Sequence, residues 1–431
     1  MTQFEDFNLH QNSLETIRRL GFTEPTTIQE QAIPEIKKGR DVVGQSVTGS
    51  GKTAALCIPI VEAIHPGKGV QALILTPTRE LCVQVKDTFL TFGQPYRIFT
   101  TAIFGGVGIE PQVDNLRRAD VVVATPGRLL DHIRRRSVNF SNTHILVLDE
   151  VDKMFEMGFI EDVEQIITML PRQRQTLFFS ATIPARLKDL IRQHMHNPAS
   201  LKAQILVDKS QLRQSFYNVD QHEKFSLLMH LIRKHVQGIS LVFCATRHQA
   251  DMVARNLQQQ GIKTLAIHGG LTQNRRLYAL ESLKNEHIQV LVATDVAARG
   301  LDIKNVTHIY NYDVPKTSEE YIHRIGRTAR AGKSGEAITL LSSRDYDNFS
   351  AVRRDRELII EQQPLPHFQR IPFQRPSQPG HRPFRPGHGR FQERQGHHRS
   401  SFSDHAAPRH GQGRRGSRHR HDSYKPPRFG S

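Results

Sequence analysis

The stretch ILVLDEVDKMF runs from Ile145 to Phe155. Four apolar residues, Ile145–Leu148, lead straight into Asp149 and Glu150, with Asp152 one residue further on. An uninterrupted apolar run of this length fits a strand buried on both faces of a parallel sheet. Three carboxylates crowded at its end repel one another, so the fold must bring positive charge to that point.

The run has counterparts along the chain. Val42–Val43, Ala72–Leu75, Ile98–Phe104, Val121–Ala124 and Leu177–Phe179 share its character. A second set follows at Leu241–Cys244, Thr264–Ile267, Val290–Ala293, Ile309–Tyr310 and Ala337–Leu341. Segments with apolar residues at helical spacing, such as Phe225–Val236 and His248–Gln260, lie between them. Alternation of this kind predicts an α/β chain with two parallel-sheet domains. The polar stretch Asn197–Gln214 is the candidate linker, narrowed to 206–214.

The counter-charge for the carboxylates comes from SVTGSGKT, residues Ser46, Val47, Thr48, Gly49, Ser50, Gly51, Lys52 and Thr53. Backbone N–H groups of such a turn, with the helix that follows, point at phosphate oxygens. Lys52 supplies charge to the terminal phosphates, and the Thr53 hydroxyl is a Mg²⁺ ligand. Ser46 stands where the strict pattern has glycine. In enzymes with such a loop one strand-end carboxylate holds the metal and another orients the attacking water. Asp149 is the metal ligand on this reading, and Glu150 the general base.

The formal net charge of the 431 residues is +17. The segment from Pro364 to Ser431 carries +11 of it, and residues 1–363 only +6. That segment is rich in Arg, His, Gly, Pro and Gln, and nearly free of aliphatic residues, which predicts a disordered tail. Its charge points to nucleic acid. Its aromatics, Phe368, Phe373, Phe384, Phe391, Phe402, Tyr424 and Phe429, suit stacking on unpaired bases. Cys57, Cys82 and Cys244 have neither disulfide nor zinc spacing and read as core residues of a reducing compartment. No secretory signal and no apolar stretch near the roughly 20 residues of a membrane helix is visible. A soluble, cytoplasmic chain with no membrane partner is the expectation.

Further motifs extend the pattern. GFTEPTTIQ spans Gly21–Gln29, with Phe4 upstream. PTREL spans Pro77–Leu81, Gly105–Gly106 form a pair, and TPGRL spans Thr125–Leu129. SAT spans Ser180–Thr182. HGGLTQNRR, ATDVAARGLD and HRIGRTAR begin at His268, Ala293 and His323. In this order, over nearly all of residues 4–345, they resemble a DEAD-box RNA helicase of helicase superfamily 2, similar to bacterial members with a basic tail.

The resemblance implies two tandem RecA-like parallel-sheet domains with a cleft between them. Residues 1–31 are then a Q-motif region, 32–205 the ATP-binding domain, 215–363 the C-terminal domain and 364–431 the tail. It implies that Gln29 reads adenine and Phe4 packs on the ring. Thr78, Arg79, Gly105, Gly106, Thr125, Gly127 and Arg128 then contact RNA in the first domain. Gln273, Arg276 and Thr294 do so in the second. Asp302 holds the ribose. Asp152, Ser180, Thr182 and His323 couple the nucleotide site to strand separation. Arg327 and Arg330 are arginine fingers on the terminal phosphate. The implied activity is RNA-dependent hydrolysis of ATP with Mg²⁺, coupled to local separation of short RNA duplexes, with ribosomal or RNA-decay proteins as partners. Two alternatives stay open: a weakly hydrolysing, ATP-gated RNA clamp, and a DNA helicase of the same superfamily.

Two positions depart from the pattern. Val151 replaces alanine in the acidic box, a change that asks for repacking of about 1 kcal/mol. Ala329 stands where glycine is usual, and is strained if that position needs a positive φ.

Overall fold

The structure is a computed structural model. It describes residues 2–46, 50–202, 211–235, 238–298, 303, 305–329 and 334–374. Seven strands build the first lobe: β1 (Val42–Gln45), β2 (Ala72–Leu75), β3 (Thr100–Ile103), β4 (Val121–Ala124), β5 (Ile145–Asp149), β6 (Gln175–Ser180) and β7 (Ala199–Lys202). All pair in parallel in the order β3-β4-β2-β5-β6-β1-β7. Seven more build the second: β8 (Leu212–Asn218), β9 (Ile239–Phe243), β10 (Thr264–Ile267), β11 (Val290–Ala293), β12 (Val306–Asn311), β13 (Gly335–Leu341) and β14 (Glu361–Gln362). These too are all parallel, in the order β10-β11-β9-β12-β13-β8-β14.

The opening stretch behaves as its composition demands. Every residue of β5 is buried, because helices cover both sheet faces. One face packs Ile145 and Val147 with Ile58, Phe89 and Leu177. The other packs Leu146 and Leu148 with Leu129, Met154 and Phe178. The second lobe has the same two-layer core, with Leu241 and Phe243 on one face and Val242 and Tyr310 on the other. Ligands of open parallel sheets bind beyond the carboxyl ends of the strands. Here β5, β6 and β1 lie side by side, with Asp149 opposite Phe179 and Gln45 opposite Ser180. The acidic box, SAT and the glycine-rich turn therefore emerge together.

Two expectations are corrected at the boundaries. The candidate linker 206–214 ends inside a strand: Leu212–Gln214 open β8, which pairs with β13 along its whole length. The broader Asn197–Gln214 stretch also contains β7, an edge strand on β1. Residues 203–210 lie outside the described residues.

Disorder from Pro364 onward is also corrected. Residues 364–374 form an ordered strap across the second lobe. Phe368, Ile371 and Phe373 pack against its core, with the Phe373 ring 5.1 Å from Phe225. Ile371 exchanges hydrogen bonds with Ser226, and Gln374 with Asn256. Arg370 pairs with Glu223 at 2.7 Å. Phe368 and Phe373 thus serve packing rather than base stacking. The remainder of the tail, 375–431, lies outside the described residues.

Candidate nucleotide and RNA site

The glycine-rich turn leaves β1 through Ser46, whose N–H bonds the Ser180 carbonyl at 3.0 Å. It enters the helix Lys52–Ala63 at Gly51, which has φ 92°. A Cβ there would be strained and would also meet the Gln29 amide at 2.7 Å. Lys52 is buried, bonds the Ser46 carbonyl at 3.1 Å and lies 3.9 Å from Asp149 Oδ1. Thr53 is half-buried in the first helical turn. Val47, Thr48 and Gly49 lie outside the described residues, as do Asp302 and Arg330.

Gln29 fastens the turn to the helix before it. Its Oε1 accepts from Thr26 N–H at 2.9 Å and its Nε2 donates to the Gly51 carbonyl at 3.2 Å. A second hydrogen on Nε2 and a second lone pair on Oε1 remain, the pair an adenine edge requires. The expected stacking of Phe4 on adenine finds no open ring face. Phe4 is 2% exposed and packs edge-on against Phe7 in the core.

At the acidic box each carboxylate has its own surroundings. Asp149 is buried and its Oδ1 accepts no hydrogen bond. Burial pushes its pKa up to about 6, against the opposing pull of Lys52. A desolvated, under-bonded carboxylate beside the phosphate cradle fits a divalent cation. Glu150 sits in left-handed backbone, φ 55° and ψ 49°, at the head of the helix Val151–Glu156. A non-glycine residue held there stores about 1–3 kcal/mol of strain and fixes its side chain's direction. Lys153 pairs with Glu150 at 2.8 Å. Burial lowers the Lys153 pKa, and the charge of Arg327 lowers it further while Glu150 opposes. Arg327, on the second lobe, therefore lies near enough to the first lobe's box for its charge to act there. It is 4% exposed, just past the helix Ser318–Ile325 that carries half-buried His323.

Asp152 ties the box to SAT. Its Oδ2 accepts from Ala181 N–H (3.1 Å), Thr182 N–H (3.0 Å) and the Thr182 hydroxyl (3.3 Å). The Ser180 hydroxyl meets the Asp152 backbone rather than its carboxylate. Ser180 Oγ accepts from Asp152 N–H at 3.1 Å and donates to the Thr182 carbonyl at 2.7 Å. Val151 is fully buried in the apolar layer with Met154 and Ile160, so the extra volume is housed there.

Several of the residues read as RNA ligands meet around Arg79. Thr78 caps the helix Arg79–Gly93, accepting from Leu81 N–H at 3.3 Å. Arg79 passes over the glycine pair. A Cβ at Gly106, which has φ 84°, would collide with its guanidinium. Arg128, on the helix Pro126–Arg134 that Thr125 heads and Gly127 enters, donates twice to the Val107 carbonyl at 3.2 Å. Arg79 is shifted down by burial, with Arg276 and Arg128 adding to the effect, so three guanidiniums share this region. Thr294 is buried at the end of β11, its N–H bonding the Ile267 carbonyl.

Gln273 and Arg276, read as RNA ligands, also have a protein partner. Both polar heads reach across the cleft to Glu80, which is 2% exposed. Gln273 Nε2 donates to Oε1 at 2.8 Å, and Arg276 Nη2 lies 3.0 Å from Oε2. A buried carboxylate demands such partners, because leaving it unpaired costs several kcal/mol.

A DEAD/DEAH box helicase model matches residues 26–190, and a helicase conserved C-terminal domain model matches 223–332. The DEAD-box ATP-dependent RNA helicase CshA of Bacillus subtilis (strain 168) is 44% identical over 354 residues, covering 81% of this chain and 72% of its own. The chain belongs to the DEAD-box RNA helicase family.

Two solved structures resemble the helicase. S. cerevisiae Dbp5 bound to RNA and ADP BeF3 superposes with a TM-score of 0.75 at 28% identity, covering 85% of this chain and 96% of its own. A DEAD box protein from the hyperthermophile Methanococcus jannaschii gives 0.54 at 39% identity, covering 84% and 99%. The more identical chain superposes less well. Two-lobed chains do so when the lobes are disposed differently, however alike each lobe is.

Sequence reasoning passed over Glu80, Lys153, Asp295 and Arg324. The signal was present for Arg324, the first arginine of HRIGR. It is 2% exposed and clamps Asp295 through two bonds, Nη2–Oδ2 at 2.7 Å and Nε–Oδ1 at 2.5 Å. It also bonds Asn311 Oδ1 at 3.0 Å and lies over the Phe243 ring. This joins the ATDVAARGLD segment to the arginine-finger segment.

Ala329 has φ 52° and is 6% exposed. The position is left-handed, so alanine is strained there by about 1–2 kcal/mol. Ala329→Gly is expected to stabilise the helicase by about 1 kcal/mol, read as a higher midpoint in urea with an unchanged slope. A midpoint that falls would show that the turn has adapted to the methyl group.

The Glu80 pairing has its own expected outcome. Glu80→Ala should weaken RNA binding in the presence of an ATP analogue by about 10–100-fold, while ATP binding without RNA holds. In a double-mutant cycle with Arg276→Ala the losses should couple by about 0.5–3 kcal/mol. Strictly additive losses would place the two residues on separate tasks.

Proposed function

We propose that this RNA helicase hydrolyses ATP in the cleft between its lobes and uses lobe closure to separate short RNA duplexes locally. What carries the reading is that second-lobe residues reach first-lobe sites: Gln273 and Arg276 hold Glu80, and the charge of Arg327 acts on Lys153 at the box. The high similarity to the RNA-bound Dbp5 arrangement supports it.

In this mechanism Lys52 and the backbone of the turn hold the phosphates. Gln29 positions the base. Mg²⁺, held by Asp149 and Thr53, would neutralise charge on the phosphates. Glu150, aimed by its left-handed backbone, takes the proton of the attacking water. Arg327, with Arg330 beside it in sequence, stabilises the charge of the transferring phosphoryl group. Asp152, bonded to Ala181 and Thr182, passes closure from the box to SAT. Arg79, Arg128 and the glycine pair grip RNA phosphates, a contact without sequence information. ATP and RNA each bind both lobes, so each favours the arrangement that binds the other.

The proposed domain division keeps 1–31 and 32–205, begins the C-terminal domain at Leu212 with β8, and lets the tail take effect after the strap, from residue 375. Among the described residues no helix is long and apolar enough to cross a membrane. The cytoplasm, and ribosomal or RNA-decay proteins as partners, are our reading of the family and the basic tail.

ATP turnover measured with single-stranded RNA and with DNA of the same sequence tests the proposal. RNA should stimulate turnover at least tenfold more than DNA, because A-form geometry and 2′-hydroxyls are what an RNA-selective backbone grip reads. Equal stimulation would favour a DNA helicase. Ending the chain at Gln374 should weaken RNA binding at moderate salt and leave basal turnover intact. Unchanged affinity would remove the tethering role of the tail.

A further inference from the structure

Away from the cleft, the second lobe brings two histidines and a glutamate together. His235 ends the helix Lys224–Lys234, His308 lies in β12 and Glu336 in β13. One ligating atom from each lies within 4.8 Å of the others. His308 and Glu336 are direct register partners on adjacent parallel strands, so their Cα positions are fixed by the sheet. All three are half-buried. They sit toward the amino ends of their strands, whereas Arg324 and the finger segment lie beyond the carboxyl end of β12.

The contacts around His308 set the direction of its ring. Thr307 Oγ1 donates to the Ile239 carbonyl at 3.2 Å and lies 2.8 Å from His308 Nδ1. The ring therefore turns Nε2 toward Glu336 Oε2, 3.9 Å away. The His235 ring stands 4.4 Å from the His308 ring. Arg213 reaches Glu336 only from the exposed side, at 3.9 Å. Tyr310, whose ring lies parallel to His308 at 6.1 Å, adds a buried hydroxyl without a hydrogen-bond partner.

We propose that His235, His308 and Glu336 bind one divalent transition-metal ion, zinc fitting best, which ties the end of the helix Lys224–Lys234 to β12 and β13. Two neutral imidazoles and a carboxylate form a standard zinc ligand set, with water in the fourth position. Thr307 is the outer partner that orients one imidazole, as metal-bound histidines require. Zinc bonds of about 2.0–2.2 Å place tetrahedral ligands about 3.4 Å apart. Side-chain rotations closing the cluster by about an ångström would complete the site.

The tail complicates the test, because eight histidines follow position 375. Metal bound equally by the folded and the unfolded chain does not favour the folded state, whereas metal held by this cluster does. The thermal unfolding midpoint of the full-length chain is therefore measured in EDTA and in a slight excess of Zn²⁺, for wild type, His308→Gln and Glu336→Gln. Co²⁺ absorption in the visible range is recorded beside it. Wild type should show a higher midpoint with Zn²⁺ and the intense spectrum of four-coordinate Co²⁺. Both variants should lose the midpoint shift and the spectrum, with apparent affinity at this site reduced at least tenfold. ATP turnover of both should stay at the wild-type level. A variant too unstable in EDTA to compare leaves the other variant and the Co²⁺ spectrum to decide. No wild-type shift, or the same shift and spectrum in both variants, would overturn the assignment.

Discussion

Arg327→Ala is expected to lower RNA-stimulated ATP turnover by about 10³–10⁵-fold, the range an arginine finger contributes in other nucleotidases. The loss should fall on kcat, with little change in the KM for ATP. Lys52, Gln29 and Asp149, the residues proposed to hold the nucleotide, all belong to the first lobe. Arg327 belongs to the second, and its charge acts on Lys153 at the box. Arg327→Lys should recover little, because a point charge does not reproduce the planar guanidinium fork. Steady-state turnover at saturating RNA measures both variants. A loss smaller than tenfold would show that Arg327 is a structural neighbour of the box and nothing more.

Glu150→Gln should lower turnover by about 10²–10⁴-fold, the usual worth of a positioned general base. The change keeps the shape and the left-handed backbone, so ATP and RNA should still bind. The variant should then stay on RNA with unhydrolysed ATP, seen as slowed RNA dissociation. It also leaves Lys153 without its 2.8 Å carboxylate partner. Some loss of stability is expected, and a folding check by circular dichroism belongs beside the kinetics. Wild-type turnover in this variant would favour the reading as an ATP-gated clamp whose box does no chemistry.

Much of this architecture was legible in the sequence because fully buried parallel strands leave a plain trace. β2, β4, β10 and β11 coincide with the apolar runs Ala72–Leu75, Val121–Ala124, Thr264–Ile267 and Val290–Ala293. The strands that were missed have mixed surroundings. β7 (ASLK) is an edge strand with exposed positions, and β8 (LRQSFYN) carries polar residues on a sheet margin closed only by the two-residue β14. The strap at 364–374 escaped for a related reason. Its composition is that of a disordered tail, and three spaced apolar side chains dock it on a lobe already folded.

The site was legible where chemistry is local. Ser46, Lys52, Asp149, Glu150 and Asp152 lie near one another because β1, β5 and β6 are neighbours. Pairings across the cleft left no such trace. Glu80 and Gln273 are 193 residues apart, and nothing in PTREL says that its glutamate is buried. Backbone sign is equally silent. Glu150 takes φ 55° without a glycine to announce it. At Ala329 the missing glycine did announce a question, and φ 52° answers it.

The central claim is that the ATP site and the RNA surface are each complete only when both lobes contribute. The direct measurement is the dissociation constant of a fluorescent single-stranded RNA, with and without a saturating non-hydrolysable ATP analogue, together with the reciprocal analogue affinity with and without RNA. Linkage requires the same factor in both directions. The account expects a factor of about 5–150, the usual range of such coupling, and its collapse toward one in Glu80→Ala. RNA and analogue affinities that ignore each other in the wild-type chain would contradict it.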